Sequence, residues 1–193
     1  MADSGRLFYG LLPIGSDAPA AAGDFESIAT ITVGAGGASS IEFTSIPGTY
    51  QHLQVRVVAR STASDTNNDM RMQVNSDTGS NYAYHLLDGN GSSASAFGLA
   101  SQSNPTVIYR AMTAANATAS VFGASIIEIL DYASTSKTKT ARGLGGHDRN
   151  GAGVISLNSV LWNSTSAITS IKLTTSASNF AQHSTAALYG IRS

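Results

Sequence analysis

The chain has no cysteine and little charge. Asp, Glu, Lys and Arg make up 12% of its residues, about half of their usual share in globular proteins. Without cysteine it forms no disulfide, no thiolate metal site and no cysteine nucleophile. A net charge of −1 provides no basic surface for nucleic acid, and no run of 18 apolar residues is present to span a membrane. We therefore expect neither a nucleic-acid nor a membrane partner.

Polarity comes instead from Ser, Thr, Asn, Gln and Gly, which solvate a surface without charge. Thr also fits well into strands, so the composition is typical of rigid, exposed β proteins. A length of 193 residues accommodates one domain, or one domain and a tail. Because disulfides are excluded, an exposed domain of this kind needs another source of stability, such as oligomerisation.

Residues 1–24 show no sustained hydrophobic period, and we interpret them as an extended N-terminal arm. Gly10, Pro13 and Gly15 interrupt the apolar stretch, and Arg6 is the only positive charge before it, which argues against a signal peptide. The same three residues disfavour a stable helix. The arm contains six large apolar or aromatic side chains, which we take as candidate assembly residues: Leu7, Phe8, Tyr9, Leu11, Leu12 and Ile14.

From Phe25 onward the pattern changes to short strands separated by turn residues. In HLQVRVVAR (52–60), the clearest example, Leu53 and Val55 lie on one face and Arg56 on the other. The strands predicted from such alternation cover residues 25–33, 40–46, 52–60, 69–74, 82–87, 106–112, 120–130, 137–144, 154–162, 168–175 and 185–191.

No long segment has the apolar spacing of an amphipathic helix. Short strands without crossover helices indicate an antiparallel sandwich or barrel. We therefore predict an all-β protein with a single β-sandwich domain over residues 25–193, preceded by the arm.

The segment SDTGSNY (76–82) contains the Asp-Thr-Gly signature of aspartic proteases. Those enzymes need two carboxylates that share a proton, and this chain has a single copy of the signature, Asp77 to Gly79, so only a homodimeric protease remains possible. Asn75 and Ser76 stand where such proteases usually have large apolar residues. Because the segment lies between two predicted strands, we interpret it as a turn.

Other candidate chemical motifs are incomplete. Asp65–Asp69 begins like a calcium loop, but Met70 and Ser76 occupy the positions that need Gly and Glu. The glycine-rich stretches 34–39 and 143–153 lead into strands, so we interpret them as hairpin loops and not as phosphate sites. The histidines have no zinc-ligand spacing; they are His52, His85, His147 and His183. We expect no catalytic residue, cofactor or metal site, although a looser calcium site at 65–69 remains open.

Four segments together resemble a group of small virion proteins of tailed bacteriophages. They follow the order of that family and extend from about Phe25 to the end of the chain. The matching segments are FTSIPGTYQHLQVRVVAR (43–60), MQVNSDTGSNYAYHLLDGNGS (72–92), LWNSTSAITSIKL (161–173) and FAQHSTAALYGI (180–191).

The resemblance implies a jelly-roll β-sandwich without catalytic residues. It further implies a decoration, cement or tail-appendage protein on the virion surface, present in the host cytoplasm before assembly. We expect a capsid decoration protein, a homotrimer that strengthens the shell and binds the major capsid protein or a tail protein. The alternative is a tail-fibre or baseplate protein that binds host surface glycans, for which Trp162, the single tryptophan, offers only a small stacking platform.

The arm has two possible positions. Its apolar composition would make a free tail sticky, so we expect it to anchor the protein to the virion. The alternative is that it packs on its own sandwich as an additional edge.

Overall fold

A computed structural model describes residues 24–192, apart from the side chain of Ala111. The candidate assembly residues in the arm lie outside this range. The described chain forms twelve strands: β1 (Phe25–Thr32), β2 (Ser40–Phe43), β3 (His52–Ala59), β4 (Asn67–Val74), β5 (Tyr82–Gly89), β6 (Ala94–Gln102), β7 (Thr106–Thr113), β8 (Gly123–Leu130), β9 (Lys139–Asp148), β10 (Gly153–Trp162), β11 (Ile171–Thr175) and β12 (Thr185–Ile191).

The strands form two antiparallel sheets that pack face to face. The large sheet has eight strands in the order β1-β12-β3-β8-β9-β10-β5-β6, and the small sheet has four in the order β2-β11-β4-β7. The sets β1-β12-β3-β8 and β2-β11-β4-β7 reproduce the eight strands of a jelly roll. The predicted jelly-roll sandwich is therefore confirmed. The four other strands, β5 with β6 and β9 with β10, are hairpins that widen the large sheet.

The core lies between the sheets and follows the predicted alternation. On β3, the side chains of Leu53, Val55 and Val57 are buried, as predicted. They face the small sheet, where Met70 and Met72 of β4 are also buried. Burying each such side chain stabilises the fold by about 1.5–3 kcal/mol, so the two alternating patterns hold the sandwich together.

The β9–β10 hairpin has the turn that its sequence predicts. Asn150 and Gly151 both have positive φ, 66° and 105°, and the Arg149 amide donates to the Ala152 carbonyl at 2.8 Å. Two positive φ values define a type I′ turn, whose twist matches that of the flanking strands and which Asn-Gly favours. The turn places β9 and β10 side by side in register.

The sequence predictions for β6 and for the end of β9 were wrong. The strand β6 was not expected, and β9 continues to Asp148 where a hairpin loop was predicted over 143–153. The reason for the second error is the close packing of β7 on β9. A Cβ atom on Gly143 would lie 2.3 Å from both the Ile108 Cδ1 atom and the Val107 carbonyl oxygen. Glycine in β9 therefore marks a close approach of two strands and not a loop.

Candidate interaction surface

The Asp-Thr-Gly segment forms the connection between β4 and β5, as the turn interpretation predicts. The Asp77 carboxylate accepts hydrogen bonds from the Gly79 amide at 2.8 Å, from the Asn81 side chain at 3.0 Å and from the Trp162 indole at 2.7 Å. The bond from Trp162, followed by that from Asn81, lowers the pKa of Asp77. These contacts tie the turn to the last residue of β10. Trp162 is itself buried, so its ring offers no exposed platform for a sugar.

The structure separates the other residues considered as ligands. Within residues 24–192, no three His, Asp or Glu side chains come close enough together to hold a metal ion. In the segment considered for calcium, the Asp65 carboxylate accepts from the Thr66 amide, and that of Asp69 accepts from the Arg110 amide at 2.9 Å. Residues from Asn67 onward belong to β4 and not to a loop.

A partly buried polar cluster joins the two sheets beside β7. The Arg110 side chain donates to Asn67 at 3.2 Å and lies 3.9 Å from the Asp88 carboxylate on β5. Burial raises the pKa of Asp69, which accepts from the Arg110 backbone. Arg110 adopts a left-handed φ of 51°, a sparsely populated conformation for a non-glycine residue. The members of this cluster bind one another, so we interpret it as a tie between the sheets.

The outer face of the large sheet carries a ladder of apolar side chains. Ile126 of β8 stands opposite Leu144 of β9, Leu144 opposite Leu157 of β10, and Leu157 opposite Leu87 of β5. Side chains opposite one another in antiparallel strands point to the same face and lie in contact distance. These four residues therefore form one continuous row across four strands, about 14 Å long at the usual strand spacing.

A second row runs beside the ladder and has small residues at its centre. Val58 of β3 stands opposite Ala124, Ala124 opposite Gly146, and Gly146 opposite Ile155 of β10. The large side chains at the two ends and the small ones between them create a recess in the face. We call the two rows together the apolar band; its large members are Val58, Leu87, Ile126, Leu144, Ile155 and Leu157.

The large residues of the apolar band are between 41% and 63% exposed. Single exposed apolar residues are common, but a contiguous group on one sheet face marks a surface that binds something. Where such a face meets water in a monomer, strands normally alternate apolar with polar residues. The apolar band departs from this alternation, which makes it the candidate interaction surface of the described residues.

The recess is part of a shallow groove of about 800 Å³. The groove crosses six strands, from Thr30 on β1 past Val58 and Ala124 to Ile155 on β10. At about 4.8 Å per strand this path is about 24 Å long. Ionisable residues are scarce in its lining, which includes Arg56 and His147 but no carboxylate.

Polar and aromatic contacts border the groove on the side where β1 begins. The Arg56 guanidinium lies 5.5 Å from the centre of the Phe25 ring and 5.0 Å from that of Tyr189. Its Nε donates to Gln54 at 2.8 Å, and on the neighbouring strands Glu128 forms an ion pair with Arg142 at 2.8 Å. The two cation–π contacts hold the Arg56 side chain in place at the edge of the groove.

Sequence reasoning missed the apolar band, although a signal was present. In the strand VISLNSVLW (154–162), Ile155 and Leu157 lie on one face and Val154 and Val160 on the other. Apolar residues on both faces are typical of a strand that is covered on both sides. On β10 the outer of these two faces carries the exposed Ile155 and Leu157, so this pattern was the sequence signal for the apolar band.

Comparison with family models, curated proteins and solved structures finds no match to this chain. The part of the chain that the structure describes contains no helix long and apolar enough to cross a membrane.

Proposed function

We propose that the protein is a structural subunit of a bacteriophage virion, a capsid decoration protein that acts by packing against other protein subunits. The observation that carries the proposal is the apolar band, a row of exposed large side chains on the face of a rigid sheet. A contiguous apolar surface of this kind is typical of protein–protein interfaces. The virion assignment is supported by the resemblance of segments 43–60, 72–92, 161–173 and 180–191 to tailed-phage virion proteins.

In this proposal the protein acts as a homo-oligomer, specifically a trimer. A chain without disulfides gains stability when copies bury apolar surface against each other. A ring of three copies is closed, so it exposes no unsatisfied interface that would continue into a fibre.

The test replaces Leu157 by Asp in the apolar band. A charge buried in an apolar interface costs several kcal/mol, so we expect Leu157→Asp to weaken self-association at least tenfold. Light scattering across micromolar concentrations measures the association. The control is Ser159→Asp, two residues along on the same exposed face of β10, which should leave association unchanged. Equal effects of both variants, or a monomeric wild-type chain, would contradict the role of the apolar band.

Placement on the virion is tested separately by counting copies in purified particles. Hundreds of copies per particle are expected of a decoration protein on the head, whereas a few to tens indicate the tail, because the symmetry of each structure fixes the number. Absence from the particles would refute the virion function. A tail location would shift the function to the alternative, and binding of the purified protein to host surface glycans would then support it.

A further inference from the structure

We propose that residues Leu7–Ile14 of one copy occupy the groove of a neighbouring copy. The inference deepens the proposed function, on which it rests, because it identifies the segment that links the subunits. It assigns a partner to the groove and a contact to the six candidate assembly residues of the arm.

The shape of the groove favours an extended segment over a second sheet. Between Val58 and Ile155 the floor consists of Ala124 and Gly146, so it is recessed by the missing side chains. Two flat sheet faces packed together would leave that recess empty, and interfaces lose contact energy at such voids. A single extended strand of polypeptide has the width to fill it.

Length and chemistry also match. The segment Leu7–Ile14, with the sequence LFYGLLPI, contains eight residues and no charged side chain. Extended at about 3.3 Å per residue it measures about 26 Å, close to the roughly 24 Å path of the groove across six strands. The groove lining has Arg56 and His147 as its ionisable residues and is otherwise largely apolar. An uncharged apolar segment therefore buries its side chains there without stranding a carboxylate or a lysine.

The direction of β1 favours the groove of a neighbour over that of the same chain. β1 runs from Phe25 toward Thr30, which lines the groove, so the chain enters β1 at the end distant from the groove. A segment that precedes Phe25 would have to reverse its direction to reach the groove of its own chain, on the side where Arg56 contacts Phe25 and Tyr189. Continuing outward, the nine residues 15–23 span up to about 30 Å, enough to reach an adjacent subunit.

The experiment uses the full-length chain, into which cysteines are introduced one at a time because it has none of its own. One tagged chain carries Leu11→Cys, with Leu7→Cys and Ile14→Cys as parallel variants. A second chain with a different tag carries Ala124→Cys on the groove floor. The two chains are co-expressed, purified and oxidised. A disulfide forms only where Cα atoms approach within about 7 Å, so we expect at least one arm position to give a disulfide between the two tagged chains.

In the matched control, the second chain carries its cysteine outside the groove, at Thr140 in place of Ala124. Thr140→Cys lies on the same face of β9 and is exposed, but it does not line the groove. We expect no cross-link from the arm to this position. A doubly substituted chain with Leu11→Cys and Ala124→Cys reports the same-chain arrangement as a monomer of altered mobility. Only intrachain bonds, no bond from any of the three arm positions, or equal cross-linking to Thr140→Cys would each overturn the proposal.

A charge in the groove wall provides a second measurement. Leu144 is 49% exposed, so Leu144→Asp should fold normally by circular dichroism while reducing arm cross-linking at least tenfold. Thr140→Asp should leave the yield unchanged. Wild-type yield from folded Leu144→Asp would refute arm docking, and if that variant fails to fold, the cysteine pairs still decide. The cross-linking experiment uses purified chains and no virion. If the arm cross-links to the groove but the protein is absent from phage particles, the proposed virion function fails and the docking of the arm stands.

Discussion

The Asp77 carboxylate holds more of the molecule together than a turn residue usually does. A turn Asp typically caps one or two backbone amides, but this one also accepts from Asn81 and from the Trp162 indole. An Asn side chain has only one acceptor oxygen. In Asp77→Asn its NH₂ group would therefore face one of the present donors, such as the Trp162 indole, and that donor would lose its acceptor. The turn interpretation of the sequence is correct, and the additional bonds from Asn81 and Trp162 predict that Asn cannot replace Asp77 without loss.

We expect Asp77→Asn to lower the free energy of unfolding by about 1–2 kcal/mol, because one buried donor loses its partner. The natural control is Asp148→Asn. There the carboxylate caps only the amides of Asn150 and Gly151, which an Asn oxygen also accepts. Urea unfolding at pH 7 measures both variants. Equal stability of the two would show that the bond from Trp162 contributes nothing.

The same carboxylate makes the fold sensitive to acid. Because the hydrogen bonds hold the folded-state pKa of Asp77 below its ordinary value, its contribution is fully present above about pH 4 and is lost as the pH falls through the folded-state pKa. We expect the wild-type chain to lose stability below about pH 4 more steeply than Asp77→Asn does. Parallel acid titrations of the two proteins would contradict this assignment.

Tyr82 produces the corresponding effect at alkaline pH. Its hydroxyl is buried between β4 and β5, accepts from the Val74 amide at 3.1 Å, and burial raises its pKa to about 12. A raised pKa stabilises the fold below the unfolded-state value of about 10, and this stability is lost as the pH rises from about 10 to 12. We expect Tyr82→Phe to be less stable at pH 7 by about 1–2 kcal/mol, because the Val74 amide is left unpaired.

The measurement for Tyr82 is the difference between wild type and variant as a function of pH. The stability of Tyr82→Phe should decline less than that of the wild type above pH 10, so the two curves converge. A difference that stays constant from pH 7 to pH 11 would show that the Tyr82 hydroxyl does not titrate with the fold.

At the scale of single elements, β9 depends on glycine for its contact with β7. We expect Gly143→Ala to destabilise the protein by about 1–3 kcal/mol, because the new methyl group overlaps Ile108 and the Val107 carbonyl. Gly34→Ala is the matched control, since a Cβ atom there meets nothing within 4 Å. Thermal unfolding compares the two. A neutral Gly143→Ala would show that β7 moves away at little cost.

The elements found from the sequence are those whose alternation agrees with their burial. The apolar positions of β3 and β4 that were predicted to face the core are buried, and β4 alternates regularly between buried and half-buried residues. β6, with the sequence ASAFGLASQ, has no such pattern and mostly small side chains of low strand propensity. It is an edge strand that exists because it pairs with β5, and that cause lies in residues distant in the sequence.

At the scale of the whole molecule, the sequence predicts the sandwich but not its interaction surface. The apolar band combines residues from β3, β5, β8, β9 and β10, and only the strand order brings Leu87 beside Leu157. Alternation within one strand indicates which face is buried, but not which strands are neighbours. For the six candidate residues of the arm the situation is reversed. Their apolar character is visible in the sequence, but the residues lie outside the described structure.

The pairing of β1 with β12 affects how the protein is made. β1 bonds to no other strand of the described chain, and β2 pairs only with β11, so the first strands find their partners roughly 130–160 residues later. At translation rates of about 5–20 residues per second, β1 waits on the order of 10–30 s before β12 is synthesised. During that time β3 also lacks one neighbour, and newly made chains in a crowded cell expose strands that bind each other. The order of the strands thus leaves β1 and β2 without their partners until almost the whole chain has been synthesised.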